Sequence, residues 1–135
     1  MVKWMDRKLL AFLARYLGVA NTGTNSVNRG QCVGLVEAWI GVLGLPWIGG
    51  NAKDLPYNAD PTHWALTRNG PNNFPGTGAI VCWNASWGGG YGHTAVIIAA
   101  TSMQLAVFEQ NNPTGSPPVV ATHGYQGVEA WITAK

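Results

Sequence analysis

An α+β fold, with N-terminal helices packed on an antiparallel β-sheet, is predicted by three features of this 135-residue chain. Helical spacing of apolar residues is confined to the first third. Short runs rich in β-branched residues are confined to the part after residue 78. A turn at Thr101-Ser102 separates two of those runs closely enough for an antiparallel hairpin.

The elements follow in order. In residues 2 to 17, Val2, Met5, Leu9, Phe12, Leu13, Tyr16 and Leu17 recur every three or four positions, with Lys3, Asp6, Arg7 and Arg15 between them. That pattern is an amphipathic helix, and Gly18 is placed to stop it. Residues 18 to 30 are polar and turn-rich. A second helix runs from Gln31 to Leu43 or Gly44; it is apolar on most faces, so it belongs in the domain centre, and Pro46 ends it. From Pro46 to Gly78 the prolines, glycines and asparagines read as long connecting structure that shapes a binding site, with one short helix near Ala52 or His63-Trp64-Ala65. Strands are then expected at 79–83, 93–99 and 104–110, with a fourth at 127–132.

Composition bounds the rest. With 47% hydrophobic residues the chain is long enough for one core, so residues 1–135 are expected to form a single domain. Charged residues are only 10% and the net charge is +2, which leaves little long-range steering. Half of the eight cationic side chains, Lys3, Arg7, Lys8 and Arg15, fall on the first helix, a basic face suited to an anionic surface. No apolar run reaches the roughly 18 to 20 residues of a membrane span, and the start lacks the layout of a secretory signal. Synthesis in a cytosol is therefore expected, and with it two free thiols, Cys32 and Cys82.

Cys32 opens the second helix directly after a polar turn. A thiol there faces the positive end of the helix dipole, which favours the thiolate. A nucleophilic thiol needs a base, and the base needs a third group to orient it. His93 begins a strand after the Gly88–Gly92 loop, and Glu109 and Asn111 end the next strand. If that hairpin turns about Thr101, residues 93 and 109 stand opposite each other. Cys82, inside Ala79-Ile80-Val81-Cys82-Trp83, reads as an inert buried residue. His63 and His123 read as loop or surface histidines. No Cys or His pair has metal spacing, the glycine run precedes a strand rather than a phosphate-binding helix, and the basic residues form no nucleic-acid module.

These pieces resemble the CHAP domain, the cysteine- and histidine-dependent amidohydrolase/peptidase family of papain-like fold, related to the NlpC/P60 group. The matching segments are Gly30-Gln31-Cys32-Val33 with a helix behind it, the strand from Pro75-Gly76 to Trp83, Gly90-Tyr91-Gly92-His93-Thr94-Ala95-Val96, and Phe108-Glu109-Gln110-Asn111. The resemblance spans roughly Gly18 to Trp131. It implies Cys32 as nucleophile, His93 as base and then acid, Glu109 orienting His93, and Asn111 as further polar support. It also implies an oxyanion hole of Gln31 and the Cys32 backbone N–H.

The family's activity implies bacterial peptidoglycan as partner, cut by an endopeptidase or an N-acetylmuramoyl-L-alanine amidase. A phage endolysin held in the host cytoplasm until release, acting as a monomer, fits that picture. Some relatives bind calcium through an acidic loop before the Gln-Cys pair. Here the loop is Asn25-Ser26-Val27-Asn28-Arg29-Gly30, without a carboxylate, so no cofactor is expected. No separate wall-binding module follows Trp131, and recognition then falls to the domain itself. Trp83, Trp87 and Tyr91 flank the site as candidate platforms for sugar rings or peptide, while Trp39 and Trp131 read as core. Two rivals stand beside this reading. A non-catalytic wall-binding or tail module would not need thiol, imidazole, carboxylate and glutamine together, and a protein acyltransferase or deamidase would share the chemistry and differ in substrate.

Overall fold

Leu9 and Phe12, one helical turn apart, explain why the first helix docks. They are the buried face of α1 (Trp4–Tyr16), while Trp4 and Leu10 face outward. Phe12 packs against Trp39 at 5.2 Å and meets Phe108 edge-on at 5.8 Å. The computed structural model describes residues 3–23 and 27–135; Val2, the first residue of the expected helix, and Asn25 and Ser26 of the polar turn lie outside them. Gly18 takes the left-handed conformation that ends the helix, and its N–H reaches the Pro118 carbonyl at 2.9 Å.

α2 (Cys32–Val42) is the central helix, buried without a break from Val33 to Ile40. It stops four residues before Pro46. The Gly44 N–H returns to Gly41 and the Leu45 N–H to Ile40, with Gly44 at φ 71°, a glycine-terminated cap that satisfies the last carbonyls. Of the two places expected for a short helix, Ala52 is right: a 3₁₀ turn at Ala52–Asp54 runs into α3 (Leu55–Asn58). His63-Trp64-Ala65 instead leads into a strand.

Six antiparallel strands form one sheet: β1 (Trp64–Arg68), β2 (Ile80–Trp83), β3 (His93–Ala100), β4 (Leu105–Glu109), β5 (Val119–His123) and β6 (Val128–Ala134), in the order β1-β6-β2-β3-β4-β5. The expected strands are β2, β3, β4 and β6, which occupy the middle of the sheet. β1 and β5 are its edges. They are half exposed, and Trp-Ala-Leu-Thr-Arg and Val-Val-Ala-Thr-His carry too few buried positions to announce a strand.

Alternation along the strands divides the interior in two. Ile80, Cys82, Val96, Phe108 and Ile132 face the helices and pack with Leu35, Trp39 and Ile40. Val81, Trp83, Ala95, Ile97, Leu105, Val107, Val128 and Trp131 form a second core on the other face. Trp39 and Trp131 are buried as expected. Cys82 is buried, free and 3.5 Å from the Thr94 hydroxyl; burial pushes its thiol up to about 12, so it carries no thiolate at neutral pH.

Candidate active site

Cys32 is the first residue of α2, and its surroundings are tightly built. Gln31 caps the helix from extended backbone, its carbonyl accepting the N–H groups of Gly34 and Leu35 at 3.0 and 3.4 Å. Gly34 has no space for a side chain: a Cβ there would stand 2.2 Å from the Asn28 carbonyl oxygen and 2.8 Å from that of Thr22. The loop leading to the thiol therefore rests directly on the first helical turn. Beside it lies the fully buried amide of Gln110. Its Nε2 donates to the carbonyls of Thr22 and Gln31 at 2.9 and 2.7 Å, and its Oε1 accepts the Thr22 N–H at 2.9 Å.

His93 begins β3, opposite Trp83 of β2, and is 4% exposed. Its Nε2 lies 2.9 Å from Oε1 of Glu109. A carboxylate only accepts, so Nε2 carries the hydrogen and Nδ1 is left as the acceptor nitrogen; Cys32 shares the cavity wall with the ring. Burial alone would lower the imidazole's pKa; the bonds to Cys32 and Glu109 outweigh it and raise His93 to about 9. For Glu109, burial pulls upward, but the bonds from His93 and His123 prevail and hold the carboxyl below its ordinary value.

The hairpin brings His93 and Glu109 together by a different register from the one expected. β3 and β4 pair Val96 with Phe108 and Ile97 with Val107, slipping at Ile98 to pair Ala99 with Ala106. Carried one step on, Glu109 stands opposite Ala95, and His93 reaches it diagonally on the same face. The turn is longer than the sequence suggests, closed by the Thr101 N–H on the Gln104 carbonyl, with the Thr101 hydroxyl accepting from Met103 and Gln104.

His123 is the residue that sequence reasoning misplaced. It is no loop histidine: it ends β5, and its Nε2 lies 2.8 Å from Glu109 Oε1, the oxygen that His93 also uses. β5 pairs His123 with Leu105, at the opposite end of the ladder from Glu109. Four residues of strand span about 13 Å, so the contact is not one between cross-strand neighbours: both side chains reach along the face of the second core.

The aromatic residues divide. Trp83 is fully buried and cannot stack on a ligand; it packs 5.1 Å from the His93 ring and 5.4 Å from that of His123, as a floor beneath both. Trp87 lies nearly parallel to His93 at 5.8 Å and edge-on to His123 at 5.3 Å. Trp87 and the largely exposed Tyr91 border a cavity of about 680 Å³, together with Gln31, Cys32, His93 and Asn111. The Gln31 amide, on that wall, donates to the Val27 carbonyl at 3.3 Å.

Asn111 also lines the cavity, but its Oδ1 accepts the Gly115 N–H at 2.7 Å, within its own loop. The amide that approaches Glu109 is that of Asn112, with Nδ2 at 3.4 and 3.5 Å from the two carboxylate oxygens. Gln110 and Asn112 went unnoticed because they flank the residues that the spacing picked out. The loop before Gln31 is tied to α2 by the Asn28 amide, whose Nδ2 donates to the Glu37 carboxylate. Among the described residues no three Cys, His, Asp or Glu side chains gather as a metal would require.

Comparison with known proteins bears on the fold and the family. The structure resembles that of Ly7917 with the hydrolyzing product of MDP, with a TM-score of 0.70 and 21% identity over 96% of this chain and 62% of that one. It resembles the wild-type endolysin LysIME-EF1, with a TM-score of 0.72 and 24% identity over 98% of this chain and 64% of that one. PlyC gives a TM-score of 0.68 and 24% identity over 93% of this chain and 35% of that one. The chain thus spans less than two thirds of the length of these proteins, with which it shares the fold. The profile of the CHAP domain matches residues 22–111, from the loop before Cys32 to Asn111, and the chain belongs to the CHAP domain family.

Proposed function

We propose that this chain is a peptidoglycan hydrolase that cleaves an amide or peptide bond of the bacterial cell wall with Cys32, His93 and Glu109, as phage endolysins do. The observation that carries the reading is one buried histidine joined to a carboxylate through Nε2 and sharing the wall of an open cavity with the helix-start thiol of Cys32. The endolysin neighbour and the hydrolysis product named with Ly7917 support the substrate class.

In this mechanism the Cys32 proton passes to His93 Nδ1. Glu109 holds the ring through Nε2–H and stabilises the imidazolium, and the raised His93 pKa suits a proton-holding partner for the thiolate. The sulfur bonds to the carbonyl carbon, and the oxyanion faces the Cys32 N–H at the helix start, with the free amide hydrogen of Gln31 as second donor. His93 gives its proton to the departing amine as the C–N bond breaks. A water that returns a proton to His93 then cleaves the thioester and restores the thiol. Trp87 and Tyr91 border the cleft and are assigned to substrate contact; no metal takes part. The domain acts as a monomeric, single unit on the wall after release from the host cytoplasm.

The test is mass spectrometry of purified peptidoglycan incubated with the protein and with Cys32→Ala. Fragments made only by the unaltered protein support the reading, and their ends name the bond: a free lactyl carboxylate marks an amidase, a new amine within the peptide an endopeptidase. No fragments from several wall types under reducing conditions would overturn it in favour of a binding module.

A further inference from the structure

We propose that His123 is a positioning residue of this reaction: by donating to the same Glu109 oxygen that His93 uses, it fixes the carboxylate against the imidazole and draws off part of its pull. The proposal rests on the reading of Cys32, His93 and Glu109 as the reacting set, but its chief readout does not depend on substrate.

Three observations converge. The two Nε2 atoms lie 2.9 and 2.8 Å from one oxygen, Glu109 Oε1. A carboxylate oxygen offers two lone-pair directions, so a second donor there both limits rotation of the group and competes for its charge. His123 is itself immobilised, packed edge-on against Trp83 at 5.4 Å and Trp87 at 5.3 Å, the same two indoles that pack against His93. Finally, His123 is brought from the far end of the β4/β5 ladder, where it pairs with Leu105 while Glu109 pairs with Val119, so the contact is a specific reach across the face rather than a product of neighbouring register.

The charged groups that bear on the cluster are few. Glu109 on β4 answers to His93 and His123, and His93 on β3 to Cys32 of α2 and to Glu109. β2 and the loop after it contribute the uncharged Trp83 and Trp87, and the loop after β4 the uncharged Asn112. Glu129 of β6 is coupled instead to Asp54, Lys53 and Arg68. Removing the His123 donor therefore concentrates the carboxylate's charge on His93, and the sign of the effect is fixed: the His93 imidazolium becomes more stable.

The experiment is an NMR pH titration of the histidine rings in the full chain and in His123→Phe and His123→Gln. The chain has three histidines, His63, His93 and His123, so each ring is assigned by its loss in a variant. In His123→Phe the His93 midpoint should rise by roughly half a unit to one unit, the weight of one lost bond to a charged group, and turnover on purified peptidoglycan should fall about tenfold. In His123→Gln, whose amide donates at similar reach, both should stay near the unaltered protein. If His123→Phe does not fold, His123→Ala is read by the same criteria. A folded variant without the donor whose His93 midpoint is unmoved would overturn the proposal. A His93 midpoint that rises in a protein without action on any wall would uphold the positioning role while overturning the hydrolase reading.

Discussion

His93 Nε2 lies 2.9 Å from Glu109 Oε1 although the two residues are not cross-strand partners. The β3/β4 ladder sets them diagonally on the face that also carries Trp83 and His123, so the carboxylate approaches the ring from the sheet while Cys32 approaches from the helix. Thiol and carboxylate thus meet the imidazole from different layers of the fold, and the geometry of each can be altered separately.

Replacing Cys32 or His93 by Ala should abolish peptidoglycan cleavage while circular dichroism stays close to that of the unaltered protein; the melting temperature should hold in Cys32→Ala and fall in His93→Ala, which takes a partner from the buried Glu109 carboxylate. Cys82→Ser should keep activity within about a few-fold and lose about 1 kcal/mol of stability, because a hydroxyl replaces a thiol in a dry core position next to Thr94. Cleavage by a Cys32→Ala protein would move the nucleophile elsewhere.

Glu109→Gln should slow turnover less than Cys32→Ala does, since Glu109 orients a proton carrier without carrying protons itself. It should also flatten the pH dependence of stability. The folded-state pKa of His93 is raised from 6.5 to about 9, so its contribution is complete below 6.5 and is lost as pH climbs through about 9. That of Glu109 is lowered from 4.5, so its contribution is present above 4.5 and is lost as pH falls through the lower folded value. Calorimetry should find the highest melting temperature between those limits, with an alkaline decline that is shallower in Glu109→Gln. An unaltered protein whose melting temperature rises between pH 6.5 and 9 would contradict the assignment.

Gln110→Leu removes three hydrogen bonds at once and strands the Thr22 N–H, while the Thr22 carbonyl keeps its bond from Gly30 and the Gln31 carbonyl those from Gly34 and Leu35. A stranded buried N–H costs about 1–3 kcal/mol, so urea unfolding should show a loss of about that size. Turnover should fall as well, because these bonds tie the loop before Cys32 to the end of the Glu109 strand. A variant that is destabilised yet fully active at low temperature would show that the clamp serves stability alone.

Two glycines of α2 offer a contrast in one helix. Gly34→Ala drives a methyl to 2.2 Å from the Asn28 carbonyl and should cost about 1–3 kcal/mol or more by displacing the loop before Cys32. Gly41→Ala meets nothing within 4 Å and should stabilise the protein by about 0.5–1 kcal/mol. Equal unfolding midpoints for the two variants would refute this account of the loop's docking.

Much of this protein was determined by local sequence. Apolar spacing placed α1, the unbroken apolar stretch placed α2, and β-branched runs placed the four inner strands, because each buries a continuous face that its own residues must supply. The helix-start thiol, the strand-start histidine and the following Glu-Gln-Asn were legible for the same reason: each sits at the end of an element whose period is plain. Only the tertiary structure decided how these ends meet. The β-bulge at Ile98 and the four-residue turn reset the register by which His93 reaches Glu109. Packing on the second face of the sheet brought His123 from an edge strand to the same oxygen, and buried Trp83 beneath the two rings while leaving Trp87 and Tyr91 at the cleft. Edge strands bury too little to mark themselves in sequence, and packing across a sheet face depends on strands far apart in the chain, so the partners that depend on it become visible only when the chain is folded.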